Sequence, residues 1–139
     1  ATSDVLTISQ DLYTTVVEMA GPEAKPGTPL DGHSLVGELR GDAPFGERDL
    51  HWYYPHYAPQ AKDPGAAIRS GPWKLIEFYD PPRCELYNLE HDIGENVNRA
   101  KDHPERVTAL RERLRAWLED AGTSMHTPNN ARGQRKETS

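Results

Sequence analysis

Ala67-Ile-Arg-Ser-Gly-Pro-Trp-Lys-Leu-Ile-Glu-Phe-Tyr79, continued by Asp80-Pro-Pro-Arg83 and then Cys84-Glu-Leu-Tyr-Asn-Leu89, is the stretch from which the fold is read. From Trp73 to Tyr79 every residue is aromatic, β-branched or long, and neither Gly nor Pro interrupts the run. The two prolines that follow remove two backbone donors, so Asp80–Arg83 is expected to turn the chain rather than extend the strand. The pattern predicts a hairpin.

Side chains alternate between the faces of a strand, which puts Trp73, Leu75, Glu77 and Tyr79 on one side and Lys74, Ile76 and Phe78 on the other. Apolar groups stand on both sides, so both faces are expected to be at least partly covered. Gly71-Pro72 marks a tight bend, and Ala67–Ser70 before it reads as a further short strand. The local core is therefore a small antiparallel sheet.

Outward toward the N-terminus, Ile8, Leu12, Val16 and Met19 recur at spacings of four, four and three, which predicts a helix from about Ser9 to Ala20. Ser9 or Asp11 is placed to cap its start, and Gly21-Pro22 ends it. Residues 21–32 hold three prolines and three glycines and read as a surface connection ending in an Asp31-Gly32 turn. Ser34–Leu39 is a candidate short helix, with Arg40-Gly41-Asp42 read as its end rather than as an adhesion tripeptide.

Leu50-His-Trp-Tyr-Tyr-Pro-His-Tyr57 is the densest aromatic stretch. It reads as a strand stopped by Pro55, with Trp52 and Tyr54 packed into the core. His51 and His56 fall on opposite faces of such a strand, which argues against a shared metal site. Residues 58–66 carry no apolar anchor and read as a loop. Arg69 and Lys74 are expected to be solvated or paired.

Toward the C-terminus, His103-Pro104-Glu105 opens the clearest helix, since Pro suits the first turn and Glu there complements the dipole. Val107, Leu110, Leu114, Trp117 and Leu118 form one apolar stripe, Arg106, Glu112, Arg113, Arg115 and Glu119 a solvated face, and Gly122 the cap. Thr123 to Ser139 holds almost no apolar side chain and is expected to be disordered.

The chain has 139 residues, 35% of them hydrophobic, and a formal net charge of −6. An acidic balance argues against a generic nucleic-acid binder, whose affinity rests on phosphate neutralisation by Lys and Arg. The single cysteine, Cys84, excludes an internal disulfide and a Cys-based zinc site made by one chain. No apolar run approaches the roughly 20 residues of a membrane helix, and the N-terminus lacks the regions of a signal peptide.

Three segments together resemble the C-terminal subdomain of type I, arylsulfatase-like sulfatases of the alkaline phosphatase superfamily. They are Asp11-Leu-Tyr-Thr-Thr-Val-Val-Glu-Met-Ala-Gly21, Leu30-Asp-Gly-His-Ser-Leu35, and Ala67–Ile76 with Glu85-Leu-Tyr-Asn-Leu89 and Asp92-Ile-Gly-Glu-Asn96. The resemblance covers residues 8 to 122. Thr14 departs from the family's Pro, and Arg99 replaces an apolar residue that the family packs on its hairpin, unless Val97 takes that place. The Met125-His-Thr-Pro-Asn129 segment resembles a tail that some sulfatases lay back along the enzyme.

The resemblance implies an α+β fold: an antiparallel sheet of about four strands, an N-terminal helix, and a long C-terminal amphipathic helix packed on the sheet. Residues 1–46 would close the sulfatase main domain, 47–122 form the C-terminal subdomain, and 123–139 the polar tail. It implies a parent that hydrolyses sulfate esters, with sulfated carbohydrate as substrate, this portion contributing stability and part of the substrate rim. His56, Tyr57 and His51 are the candidate substrate contacts, because imidazole and phenol both donate and accept hydrogen bonds and present flat faces to a sugar ring.

The family's nucleophile, a formylglycine made from a Cys/Ser-x-Pro-x-Arg motif, has no counterpart here, since Cys84 is followed by Glu-Leu-Tyr-Asn. Formylglycine and calcium are therefore expected in a missing N-terminal part, which would be the chain's principal partner, and a periplasmic or extracellular parent is implied. The chain alone is expected to be inactive and to self-associate through Leu12, Val16 and Met19. Two other classes stay open: a non-catalytic carbohydrate-binding or adaptor module, and the tail of a related phosphohydrolase.

Overall fold

The structure, a computed structural model, describes residues 3–21, 31–42, 46–57 and 63–123. The elements in chain order are α1 (Ser9–Ala20), α2 (Val36–Arg40), β1 (Asp49–Tyr54), β2 (Gly65–Ser70), β3 (Trp73–Tyr79), β4 (Pro82–Asn88) and α3 (Pro104–Asp120). They fall into two compact units, Ala1–Leu50 and His51–Ser139. Among the described residues no helix is long and apolar enough to cross a membrane.

The first unit is organised by one buried carboxylate. Asp11, fully buried at the third position of α1, accepts the Ile8 N–H at 2.8 Å and the His33 N–H at 3.0 Å. Arg48 donates Nη1 to Asp11 at 3.0 Å and Nη2 to its other oxygen, and its Nε reaches the Leu6 carbonyl at 3.2 Å. Burial alone would push this carboxyl up, yet Arg48 and the two backbone donors hold it down at about 2. The helix start is thus Ile8 with Asp11 reaching back to it, where the sequence offered Ser9 or Asp11 as the cap itself.

Thr15 Oγ1 donates to the Asp11 carbonyl at 2.6 Å and accepts the Leu35 N–H at 3.0 Å, while Thr14 Oγ1 donates to the Gly32 carbonyl at 3.1 Å. The Asp31-Gly32 turn is laced onto α1 in this way, and Thr14, which departs from the family's Pro, supplies one of the lacings. Gly32 is required by approach rather than by φ: a Cβ there would lie 2.2 Å from the Gln10 carbonyl oxygen. The short helix begins at Val36, two residues later than predicted, because Ser34 Oγ accepts the Val36 N–H at 3.2 Å from outside the helix.

The second unit is built on a four-stranded sheet in the order β1-β2-β3-β4. Strands β2 and β3, and β3 and β4, pair antiparallel, with Ile68 opposite Leu75 and Leu75 opposite Leu86. These three residues are fully buried and form a ladder across the sheet. Leu110, Leu114 and Leu118 of α3 close over it, each worth roughly 1.5–3 kcal/mol of burial. The α+β architecture and the stripe on α3 are those read from the sequence.

Several finer expectations are corrected. Trp52 is not buried: it is 40% exposed and Tyr54 43%. The parity of β1 places His51 and Tyr53 on the side that α3 covers and leaves Trp52 and Tyr54 on the other. Strand β4 starts at Pro82, inside the predicted turn, which an edge strand tolerates because the missing N–H breaks no ladder bond there. The loop predicted over 58–66 ends earlier, since Pro64 is fully buried and Gly65 and Ala66 belong to β2. A Cβ on Gly65 would meet the Glu77 carbonyl oxygen at 2.7 Å, so the two strands approach only with Gly there.

The charged face of α3, Arg106, Glu112, Arg113, Arg115 and Glu119, is exposed as read, and three of its arginines also reach back to the sheet. Arg106 lies 4.6 Å above the Trp73 ring, Arg113 donates to Ser70 Oγ at 3.1 Å, and Arg115 donates to Glu77 at 2.9 Å. Long arginine stems reach over the margin of the helix and bring their heads back to the sheet. Val97 does not serve as an apolar anchor, being half exposed, while Ala100 packs against the core. Asn98 Oδ1 accepts the Leu86 N–H at 3.1 Å and the Arg99 N–H donates to the Leu86 carbonyl at 2.7 Å, tying this segment to the edge of β4. The expected disorder of the tail concerns 123–139, of which all but Thr123 lies outside the described residues.

Candidate functional site

The aromatic segment leaves the sheet at Pro55, whose ring fixes φ and cannot extend the ladder, so the next two residues project beyond the end of β1. His56 is exposed there. Its ring stands edge-on to Tyr54, with centroids 5.8 Å apart and planes at 85°. Tyr57 is half buried, and its phenol donates to the Asp80 carboxylate in the β3–β4 turn.

His51, the third candidate, does not join them. Its imidazole stacks on Trp117 of α3, with centroids 4.7 Å apart and planes 8° from parallel, on the side of β1 opposite Trp52 and Tyr54. That stacking accounts for its aromatic character through packing.

Sequence reasoning did not single out Asp80 or Arg83 for this region. Arg83 donates to Asp63 at 2.9 Å and to Glu85 at 3.2 Å, and its guanidinium lies 3.6 Å above the Phe78 ring. The Tyr79 N–H donates to the Pro64 carbonyl at 2.9 Å. Asp-Pro-Pro-Arg advertises a turn, and nothing in its spelling advertises that its two charged ends grip residues 23 and 20 positions away.

The cations considered from the sequence are committed: Lys74 pairs with Glu95 at 2.6 Å, and Arg69 donates to the Gly71 carbonyl at 3.3 Å. Cys84 is partly buried and burial pushes its thiol up, the reverse of what a nucleophile needs. Among the described residues no group of three or more His, Cys, Asp or Glu is gathered as a metal site would be.

The described residues thus comprise a short helix pair in one unit and, in the other, a four-stranded sheet with one long helix laid across it and an aromatic segment leaving its edge strand. Residues 1–122 match the family described as N-sulphoglucosamine sulphohydrolase, C-terminal, and the chain belongs to that family. A curated relative, a sulfatase of Formosa agariphila, is 32% identical over 84% of this chain. The chain spans only 23% of that relative's length.

Solved structures share the fold. One is a protein in complex with its substrate D-glucosamine-2-N,6-O-disulfate, 22% identical, with a TM-score of 0.63 over 78% of this chain and 23% of that one. Another is the phosphonate monoester hydrolase of Agrobacterium radiobacter, 24% identical, with a TM-score of 0.56 over 79% of this chain and 24% of that one.

Proposed function

We propose that this chain is the C-terminal portion of a sulfatase that hydrolyses sulfate esters of a carbohydrate. It contributes stability and part of the substrate rim, and the catalytic centre is carried by residues that precede it in a parent protein. The observation that carries the reading is the family match over residues 1–122. The relative bound to a disulfated glucosamine supports a sulfated sugar as the substrate class. Calcium and formylglycine would be supplied by the preceding part, and this chain's residues take no step through them.

In this reading His56 is the rim contact. It is exposed, carries a donor and an acceptor, and is held beyond the end of β1. His51 contributes packing through Trp117 instead. The test uses the full-length parent with two substrates, a sulfated disaccharide and a small aryl sulfate. Contacts to remote parts of a substrate are lost selectively, so His56→Ala is expected to impair the disaccharide far more than the aryl sulfate. Equal losses on both would remove the rim role.

A second reading, the tail of a phosphohydrolase, is favoured by the fold shared with a phosphonate monoester hydrolase. A parent that cleaves a phosphonate monoester and releases no sulfate from any sulfate ester would decide for it.

A further inference from the structure

We propose that Tyr57 and Asp80 form a positioning pair that aims His56, and that the Tyr57 phenol is spent on this task and not on the sugar. The proposal rests on His56 being a rim contact, and it divides the two candidate residues into one that touches substrate and one that acts through its neighbour.

The geometry leads there in three steps. His56 follows Pro55, which leaves β1 directly after Tyr54, and precedes Tyr57, so its backbone is fixed where the chain is held on both of its sides. Strand pairing fixes the first. The second lies outside every strand and helix, and there the Tyr57 phenol donates a hydrogen bond to Asp80.

Asp80 sits in the turn between β3 and β4, and Arg83, the second residue of β4, grips Asp63 at 2.9 Å and covers Phe78. Beside it, the Tyr79 N–H fastens the Pro64 carbonyl at 2.9 Å, and Pro64 is fully buried. Asp80, Arg83 and Tyr79 therefore hold Tyr57, Asp63 and Pro64, respectively. Edge contact with Tyr54 then sets the direction of the imidazole.

A hydrogen bond to a carboxylate is among the stronger ones, and a side chain whose donor is already used in this way gives little to a ligand. Tyr57→Phe removes that bond with the ring kept, and Asp80→Ala removes it from the other side. Asp80→Asn keeps an acceptor oxygen and serves as the rescuing variant.

The experiment uses the full-length parent with the disaccharide and aryl sulfate pair, and adds thermal unfolding of each variant. Tyr57→Phe and Asp80→Ala are each expected to raise KM for the disaccharide about fivefold, with kcat changed less and the aryl sulfate affected less. The double variant should be no worse than either single one, Asp80→Asn should recover most of the loss, and neither change should cost more once His56 is Ala.

Tyr57→Phe at the parental level while His56→Ala is impaired overturns the pair and leaves the rim reading standing. Additive losses in the His56→Ala background overturn it too, since the phenol would then meet the sugar itself. An equal loss on both substrates with a lowered unfolding temperature assigns the pair to stability alone and overturns its positioning role. Parental behaviour of His56→Ala overturns the rim reading, and the proposal with it.

Discussion

Glu77→Gln tests how α3 is held to the sheet. Glu77 is only 8% exposed, on the face of β3 that α3 covers. Its Oε1 accepts three hydrogen bonds, from Arg111 Nε at 3.2 Å, Arg111 Nη2 at 2.6 Å and Arg115 Nη2 at 2.9 Å. Burial raises this carboxyl and the two guanidiniums more than reverse it, so its folded value lies below the ordinary 4.5. A hydrogen bond to a charged group contributes about 1.5–3 kcal/mol. The arginines are 37% and 52% exposed and resolvate when the charge is lost, so the loss is discounted to about 1–2 kcal/mol in all.

For a unit of this size that is a fall of roughly 5–15 °C in unfolding temperature. Trp52, Trp73 and Trp117 all lie in the second unit, so tryptophan fluorescence reports its unfolding. A lowered folded value means the contribution is fully present above about 4.5 and is lost as pH falls through the folded value, so the gap between parent and variant narrows in acid. Leu114→Ala, at a fully buried position, is the control: it costs about 2–5 kcal/mol with no such pH dependence. A Gln variant that unfolds within 1 °C of the parent at neutral pH, roughly within error, or a gap undiminished in acid, refutes the reasoning.

Asp11 makes a second pH-dependent contribution, in the first unit. Its value falls from 3.8 to about 2, worth about 2 kcal/mol that is present above pH 4 and lost as pH falls toward 2. Asp11→Asn should therefore loosen α1 at neutral pH, read as faster exchange of the Ile8 and His33 amides, and unchanged exchange would contradict it. The exposed face of α1, with Leu12 63%, Val16 63% and Met19 66% exposed, predicts self-association of the isolated chain at micromolar concentration. Sedimentation should show it reduced by Leu12→Lys with Val16→Lys; a monomer before substitution would sink the idea.

What the sequence made legible is what depends on period alone. The unbroken run Trp73–Tyr79 and the stripe Leu110, Leu114 and Leu118 are periodic, and both stand where they were read. Trp52 was misread because alternation sets which residues share a face, not which face a helix will cover. Asp11 was read as a cap, but its long-range partner, like those of Glu77 and Asp80, was missed for another reason. Each is an acidic residue in an ordinary local context whose partner stands 37, 34 or 23 positions away, and only the folded chain brings the two together. The site was legible as an aromatic segment ending at a proline. The different surroundings of exposed His56, stacked His51 and Tyr57 bonded to Asp80 were not, because they depend on what α3 and the β3–β4 turn place beside them.

The most direct test of the central claim is release of inorganic sulfate from a sulfated disaccharide, measured for the full-length parent and for these 139 residues alone. Sulfate release by the parent and none by the isolated chain is the predicted result, because the reacting centre is assigned to the preceding residues. Sulfate release by the isolated chain, or a parent that releases none, would contradict the account.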